Sequence, residues 1–126
     1  MLLAQSRHET ALGKEWMRVK ISQLHLSDFM LFQQADFQWS PGINVICGTN
    51  STGKTALIKL MYSLHKSYEQ WNSTETKEAA VNRFSEKLCG VFRPDNGKVG
   101  RLVRRKQGSA QMTASMGYEN GTSIDV

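Results

Sequence analysis

The chain has 126 residues, of which 40% are hydrophobic and 21% are charged, and its formal net charge is +5. This length holds one domain or part of one, and the hydrophobic fraction excludes wholesale disorder. The positive charge favours anionic partners such as nucleotides, nucleic acids or acidic lipid surfaces, although a solvated lysine-rich face has the same composition.

Signals for export, membrane insertion and metal binding are missing from the sequence. The first five residues form too short an apolar run for a signal peptide, and no run approaches the roughly eighteen apolar residues of a membrane span. Cys47 and Cys89 form no Cys-x-x-Cys pair, and the three histidines lie far apart. The sequence therefore predicts a cytoplasmic protein in which both cysteines are reduced and buried.

The part of the chain before residue 48 is predicted to contain strands and turns. Residues 1–16 are interpreted as a polar extension, and the domain begins at Met17. Apolar residues at alternating positions predict strands at 18–26 and 35–39, separated by a turn at 28–32. Ser40-Pro41-Gly42 predicts a tight turn, and the apolar run 43–47 is typical of a buried strand.

The part after residue 53 is predicted to contain two helices and then strands. Leu57, Leu60, Met61 and Leu64 recur at helical spacing, which predicts a helix over 54–65 and a loop over 66–75. A second helix is predicted from about 76 to 90, followed by a turn at 93–97. Strands are predicted at 99–106, 111–118 and 122–126, with a hairpin turn at Asn120-Gly121.

One motif carries a specific chemistry, because residues 48–55 fit the pattern G-x-x-x-x-G-K-[ST] of a Walker A phosphate loop. In such a loop, successive backbone N–H groups and the start of a helix surround phosphate oxygens. Lys54 is predicted to contact the β- and γ-phosphates, and the hydroxyl of Thr55 is predicted to bind Mg²⁺. The sequence therefore predicts a site for ATP and Mg²⁺, formed by Gly48, Thr49, Asn50, Ser51, Thr52, Gly53, Lys54 and Thr55.

The order of elements around the motif resembles the ATPase heads of the ABC class that includes the SMC, RecF and OLD proteins. The resemblance runs from Met17 to about Leu64, and it is carried by residues 21–29, 40–46 and 48–55 together with Tyr62. It implies an α/β fold of the P-loop NTPase type, in which 17–126 form an N-terminal lobe with a mixed sheet. It also implies an AAA-family, ABC-type ATPase acting in DNA repair, chromosome maintenance or phage defence.

Motifs of the second half of such a head are missing from the sequence. No apolar strand ending in Asp-Glu follows residue 55, and no Leu-Ser-Gly-Gly-like signature occurs. The resemblance therefore implies an incomplete ATPase that binds ATP without appreciable hydrolysis by itself. Its expected partners are a second ATPase head or a missing C-terminal half, and DNA.

Two other functions remain open at this point. The motif also occurs in P-loop kinases and other nucleotide phosphotransferases, and an antiparallel strand pair before the loop strand would favour the ATPase head instead. A small basic nucleic-acid-binding module is the third possibility. It would use the cluster Lys98, Arg101, Arg104, Arg105 and Lys106. Phe29 is expected to lie in the core.

Overall fold

The computed structural model of the chain describes residues 3–4, 20–71, 74–106, 108 and 111–125. Five strands form one sheet in the order β1-β5-β4-β2-β3, and every strand pairing is antiparallel. Two helices contribute buried side chains to the same core as the sheet. The elements are β1 (Leu3–Ala4), β2 (Ile21–Phe29), β3 (Phe32–Gln38), α1 (Lys54–Glu69), α2 (Lys77–Phe92), β4 (Thr113–Tyr118) and β5 (Ser123–Asp125).

A hairpin of β2 and β3 forms one end of the sheet. Its register pairs Leu26 with Ala35 and Phe29 with Phe32, so the connecting turn consists of only Met30 and Leu31. The predicted strand pair is confirmed, but the turn is tighter than predicted and β3 begins three residues earlier. Phe29 is fully buried, as expected. The first two residues of the predicted strand 18–26 lie outside the described residues.

Both predicted helices are present, and the first is one turn longer than predicted. The last turn of α1 packs against the sheet, because Ser67 is buried and the ring of Tyr68 stacks on Tyr118 at 4.5 Å. Helix α2 begins after Thr76, whose hydroxyl accepts a hydrogen bond from the Ala79 N–H at 3.3 Å. No helix of the described residues is long and apolar enough to cross a membrane.

The last two strands form the predicted hairpin. The turn at Asn120-Gly121 uses the positive φ of Gly121, and the Tyr118 N–H donates to the Thr122 carbonyl at 2.9 Å. Met116 in β4 and Ile124 in β5 are almost completely buried, so this hairpin contributes to the same core as the helices.

The predicted buried strand 43–47 is wrong, and the predicted mixed sheet is wrong with it. Ile43 is 93% exposed and Val45 is 77% exposed. The segment has no regular structure, and no backbone hydrogen bond joins it to another strand of the described chain. A buried strand needs neighbouring strands to pair its N–H and C=O groups. The described residues provide no such neighbour, so the apolar run remains at the surface.

The predicted strand 99–106 is also wrong. Asn96 and Gly97 turn the chain with positive φ, and Val99–Leu102 form a short 3-10 helix. The Arg101 N–H donates to the Lys98 carbonyl at 3.0 Å, which is the local bonding of a turn. The contact of this segment with β2 is short: Val103 forms an isolated bridge to Phe29, and the Arg104 N–H donates to the Asp28 carbonyl at 2.7 Å. The basic residues of this segment therefore do not alternate between two strand faces.

An ion-pair cluster on α1 gives a pH-dependent prediction. The Lys66 ammonium donates a hydrogen bond to the Glu69 carboxylate at 2.6 Å, and this bond holds the pKa of Glu69 below its ordinary value of 4.5. A carboxyl group whose pKa is lower in the folded state stabilises the fold above its unfolded pKa, and loses this effect as the pH falls through the folded pKa.

We therefore expect Glu69→Gln to lower the urea midpoint slightly at pH 7, and we expect this difference to shrink as the pH falls below 4.5. Urea unfolding at a series of pH values tests it, with Glu86→Gln as the control because Glu86 is exposed on α2 and has no ion pair among the described residues. A difference between wild type and Glu69→Gln that stays the same at every pH would contradict this assignment.

Candidate functional site

The glycine-rich loop, residues 48–55, turns the chain from the exposed segment 43–47 into α1. Ser51 and Gly53 have φ values of 63° and 88°, so two residues of the loop adopt the left-handed conformation that permits a tight turn. The Thr52 hydroxyl donates to the Thr49 carbonyl at 2.8 Å and closes the loop on itself. Helix α1 starts at Lys54, and its first hydrogen bond runs from the Leu57 N–H to the Gly53 carbonyl at 2.9 Å.

The amide groups of this loop have no backbone partners. None of the backbone–backbone hydrogen bonds of the described residues uses the N–H groups of residues 49–56. No side chain caps the start of α1, where the cap residue is Gly53. Unpaired N–H groups at a helix start attract anions, because the helix dipole adds partial positive charge at the same place. The backbone therefore fits a phosphate group.

The Lys54 side chain reaches back across the loop. Its ammonium donates to the carbonyls of Gly48 at 2.6 Å and of Thr49 at 2.5 Å. Both bonds connect the first turn of α1 with the start of the loop. The ammonium has no carboxylate partner within salt-bridge distance among the described residues. Its positive charge is therefore available to an anion held by the loop.

Two glycines of the loop have little space for a side chain, and Gly53 also has a backbone angle that favours glycine. A Cβ atom on Gly48 would lie 2.8 Å from the Thr52 Oγ1 atom. A Cβ atom on Gly53 would lie 2.9 Å from the Phe32 ring, in a conformation that already has positive φ. Real Cβ contacts are almost never this short, so both positions exclude larger residues.

The predicted magnesium contact rests on one hydroxyl. Thr55 is exposed in the first turn of α1, beside Lys54. The described residues contain no group of three His, Cys, Asp or Glu side chains that could hold a metal ion. Thr55 can supply one hydroxyl oxygen to a metal ion, and the magnesium contact stays a prediction.

All eight predicted site residues lie together at the surface. Gly53 and Lys54 are half-buried, and the other six are exposed. The sequence missed two neighbours, Phe32 and Leu31, which contact the loop at Gly53 from the β2–β3 turn. Their apolar character was visible in the sequence, but their contact with a residue 21 or 22 positions later depends on the tertiary fold.

The predicted burial of the two cysteines is wrong. Both are free thiols, but Cys47 is exposed and Cys89 is half-buried. Cys47 belongs to the segment 43–47, and it remains at the surface for the same reason as Ile43 and Val45. Cys89 lies on α2, where its thiol donates to the Gly97 carbonyl at 3.3 Å.

A cleft of about 720 Å³ separates the segment 39–46 from α1. It lies along the helix beyond the glycine-rich loop. Apolar and aromatic side chains dominate its walls, and the stacked ring of Trp39 against Phe37 forms part of one side. The lining includes Ile21, Trp39, Ile46, Ile58, Tyr62 and His65.

Comparison with known proteins identifies the family of this chain. Residues 23–115, which extend from β2 through the loop and both helices into β4, match the family described as an AAA domain. The chain belongs to the AAA domain family. The matched region includes every predicted site residue.

Curated relatives of this AAA-domain chain carry the name DNA replication and repair protein RecF. The protein of Streptococcus equi subsp. zooepidemicus is 27% identical over 99 residues, which cover 69% of this chain and 27% of the relative. The protein of Corynebacterium jeikeium is 32% identical over 94 residues, which cover 71% of this chain and 21% of the relative. The protein of Limosilactobacillus reuteri is 34% identical over 77 residues, which cover 56% of this chain and 21% of the relative.

These matches confirm the predicted resemblance to ATPase heads of the SMC and RecF kind. The chain spans about a quarter of the length of the curated relatives it matches. No solved structure gives a significant match.

Proposed function

We propose that this chain binds ATP with Mg²⁺ through residues 48–55, as the N-terminal part of a RecF-like ATPase that acts in DNA replication and repair. The observation that carries the proposal is the geometry of the glycine-rich loop. Its amides lack backbone partners at the start of α1, and the Lys54 ammonium lies across the loop without a carboxylate partner. Mg²⁺ would be held by Thr55, the nucleotide phosphates and water.

The strand pairing before the loop favours an ATPase head over a kinase. In P-loop kinases the loop usually follows the first strand directly. Here the antiparallel hairpin of β2 and β3 comes first, and Phe32 of this hairpin packs on Gly53. The family match and the RecF relatives point to the same class.

Exposed apolar side chains near the cleft support the proposal that a partner completes the ATPase. Ile43 and Val45 stand exposed beside the cleft, and Ile58 on the facing side of α1 is 55% exposed. An unpaired extended segment with exposed apolar side chains accepts a strand from another part of a protein. We propose that this surface binds the remaining part of a RecF-like head, in the same polypeptide or as a separate chain. A second ATPase head is the further partner that family resemblance implies.

The third possibility, a basic nucleic-acid-binding module, has less support. Lys106 pairs with Asp28, and Arg104 donates to the Leu31 carbonyl at 2.8 Å, so both side chains are held against the β2–β3 turn. Lys98, Arg101 and Arg105 remain exposed. We propose contact with DNA through these three cations as a secondary role.

We also propose that the protein is located in the cytoplasm.

Calorimetry tests the nucleotide proposal directly. Mg-ATP titrated into the purified chain is expected to bind with one site per chain. The absence of any binding heat with Mg-ATP or Mg-GTP at millimolar concentrations would refute the proposal.

A separate assay tests the predicted lack of turnover. Hydrolysis requires an oriented water and a general base in addition to the loop. No carboxylate of the described residues is hydrogen-bonded to the glycine-rich loop. We therefore expect no phosphate release above background from saturated protein. Turnover near one per second (an ordinary enzyme rate) would contradict this expectation.

A further inference from the structure

The turn between β2 and β3 is fixed to a distant segment of the chain. The Met30 N–H donates to the Leu102 carbonyl at 2.8 Å, and the Arg104 N–H donates to the Asp28 carbonyl at 2.7 Å. The Lys106 ammonium also pairs with the Asp28 carboxylate. Residues 102–106 therefore lie directly against the turn.

The same turn also touches the glycine-rich loop. The Phe32 ring and the Leu31 side chain lie 2.9 Å and 3.9 Å from the position that a Cβ atom of Gly53 would take. The guanidinium of Arg104 donates from Nη1 to the Leu31 carbonyl at 2.8 Å. Arg104 is thus connected to the loop through a single intervening residue, Leu31.

The bonding of Arg104 leaves most of its donors free. A guanidinium has five N–H donors, and the Leu31 carbonyl is its one hydrogen-bond acceptor among the described residues. No carboxylate of the described chain lies within salt-bridge distance of it. Lys106 and Arg83 differ in this respect, because they pair with Asp28 and Glu75. Arg104 is half-buried and keeps an unneutralised charge at the β2–β3 turn, which itself contacts the loop at Gly53.

We infer that Arg104 is a second phosphate-binding cation of the nucleotide site. This inference rests on the proposed function. A triphosphate carries more negative charge than one Mg²⁺ and one lysine neutralise, and a planar guanidinium binds two phosphate oxygens at once. One N–H of Arg104 stays hydrogen-bonded to the Leu31 carbonyl, and this bond orients the guanidinium plane. The remaining N–H donors of the guanidinium then bind the phosphate oxygens. Sequence spacing does not suggest this role, because fifty residues separate Arg104 from Lys54.

The test compares Arg104→Gln with Arg93→Gln by calorimetry, using Mg-ATP and magnesium tripolyphosphate as probes. Glutamine removes the charge of Arg104 and keeps a polar side chain, and Arg93 is an exposed arginine at the end of α2. We expect Arg104→Gln to weaken the binding of both probes about tenfold, as for the loss of one charge-assisted contact. Arg93→Gln should leave both affinities unchanged. Tripolyphosphate has no base or sugar, so an equal loss for both probes assigns the contact to phosphate.

The melting temperature of the free protein shows whether Arg104→Gln weakens binding directly or by destabilising the fold. It should be nearly the same for Arg104→Gln and the wild type, because the backbone hydrogen bonds of residues 102 and 104 to the turn do not depend on this side chain. Wild-type affinity in Arg104→Gln would overturn the inference, and so would a weaker affinity accompanied by a lower melting temperature. If the wild type binds neither probe, the proposed function itself fails.

Discussion

Replacing Lys54 by alanine is expected to weaken Mg-ATP binding by about a hundredfold. The Lys54 ammonium is the cation nearest to the amides of the loop, where it now bonds to the carbonyls of Gly48 and Thr49. A hydrogen bond to a charged group contributes about 1.5–3 kcal/mol, and the upper value corresponds to roughly two powers of ten in affinity. Calorimetry with Mg-ATP measures the change.

Lys59→Ala is the matched control for this experiment. Lys59 lies on the same helix, but its ammonium rests over the Phe92 ring at 5.6 Å from the ring centroid and does not contact the loop. This variant should bind Mg-ATP as the wild type does. If Lys54→Ala retains wild-type affinity, the loop does not bind the nucleotide and the basic-module hypothesis gains support. In that case DNA binding should also be unaffected by Lys54→Ala.

Gly53→Ala is expected to destabilise the fold by about 2–5 kcal/mol. The positive φ of 88° costs an alanine roughly 1–2 kcal/mol. The new Cβ atom would also lie 2.9 Å from the Phe32 ring, and overpacking of this kind costs about 1–3 kcal/mol. Urea unfolding of the two proteins measures the difference in the free energy of unfolding.

Two further variants separate the contributions of backbone and packing. Gly90→Ala is the control, because Gly90 lies within α2 and a Cβ atom there would meet no atom within 4 Å. It should stabilise the protein by up to about 1 kcal/mol through helix propensity. In the background Phe32→Leu, the cost of Gly53→Ala should fall, because the clash with the ring is removed. An unchanged stability of Gly53→Ala would show that the contact with Phe32 does not restrain the loop.

The features that the sequence predicted correctly depend on local patterns. Both helices follow from apolar spacing. The hairpin at Asn120-Gly121 follows from turn chemistry. The eight residues of the candidate site are contiguous in the sequence, so their position together at the start of α1 needed no tertiary information, and their role in nucleotide binding stays a prediction.

The errors arose where tertiary context decides the outcome. An apolar run such as 43–47 forms a buried strand only when other strands pair with it, and the described residues offer none. At 99–106 the positive φ of Asn96 and Gly97, and the burial of Leu102, replaced a strand with a turn. The contacts of Phe32 with Gly53 and of Arg104 with Leu31 join residues 21 and 73 positions apart, and no short-range pattern encodes them.

The exposed thiol of Cys47 offers a natural attachment point for a fluorescent dye. It immediately precedes Gly48, whereas the thiol of Cys89 is half-buried and hydrogen-bonded to a carbonyl. Maleimide labelling under mild conditions should therefore favour Cys47 without any substitution. A dye at this position would report changes at the mouth of the loop in real time, so that the kinetics of ligand arrival become accessible in a stopped-flow instrument.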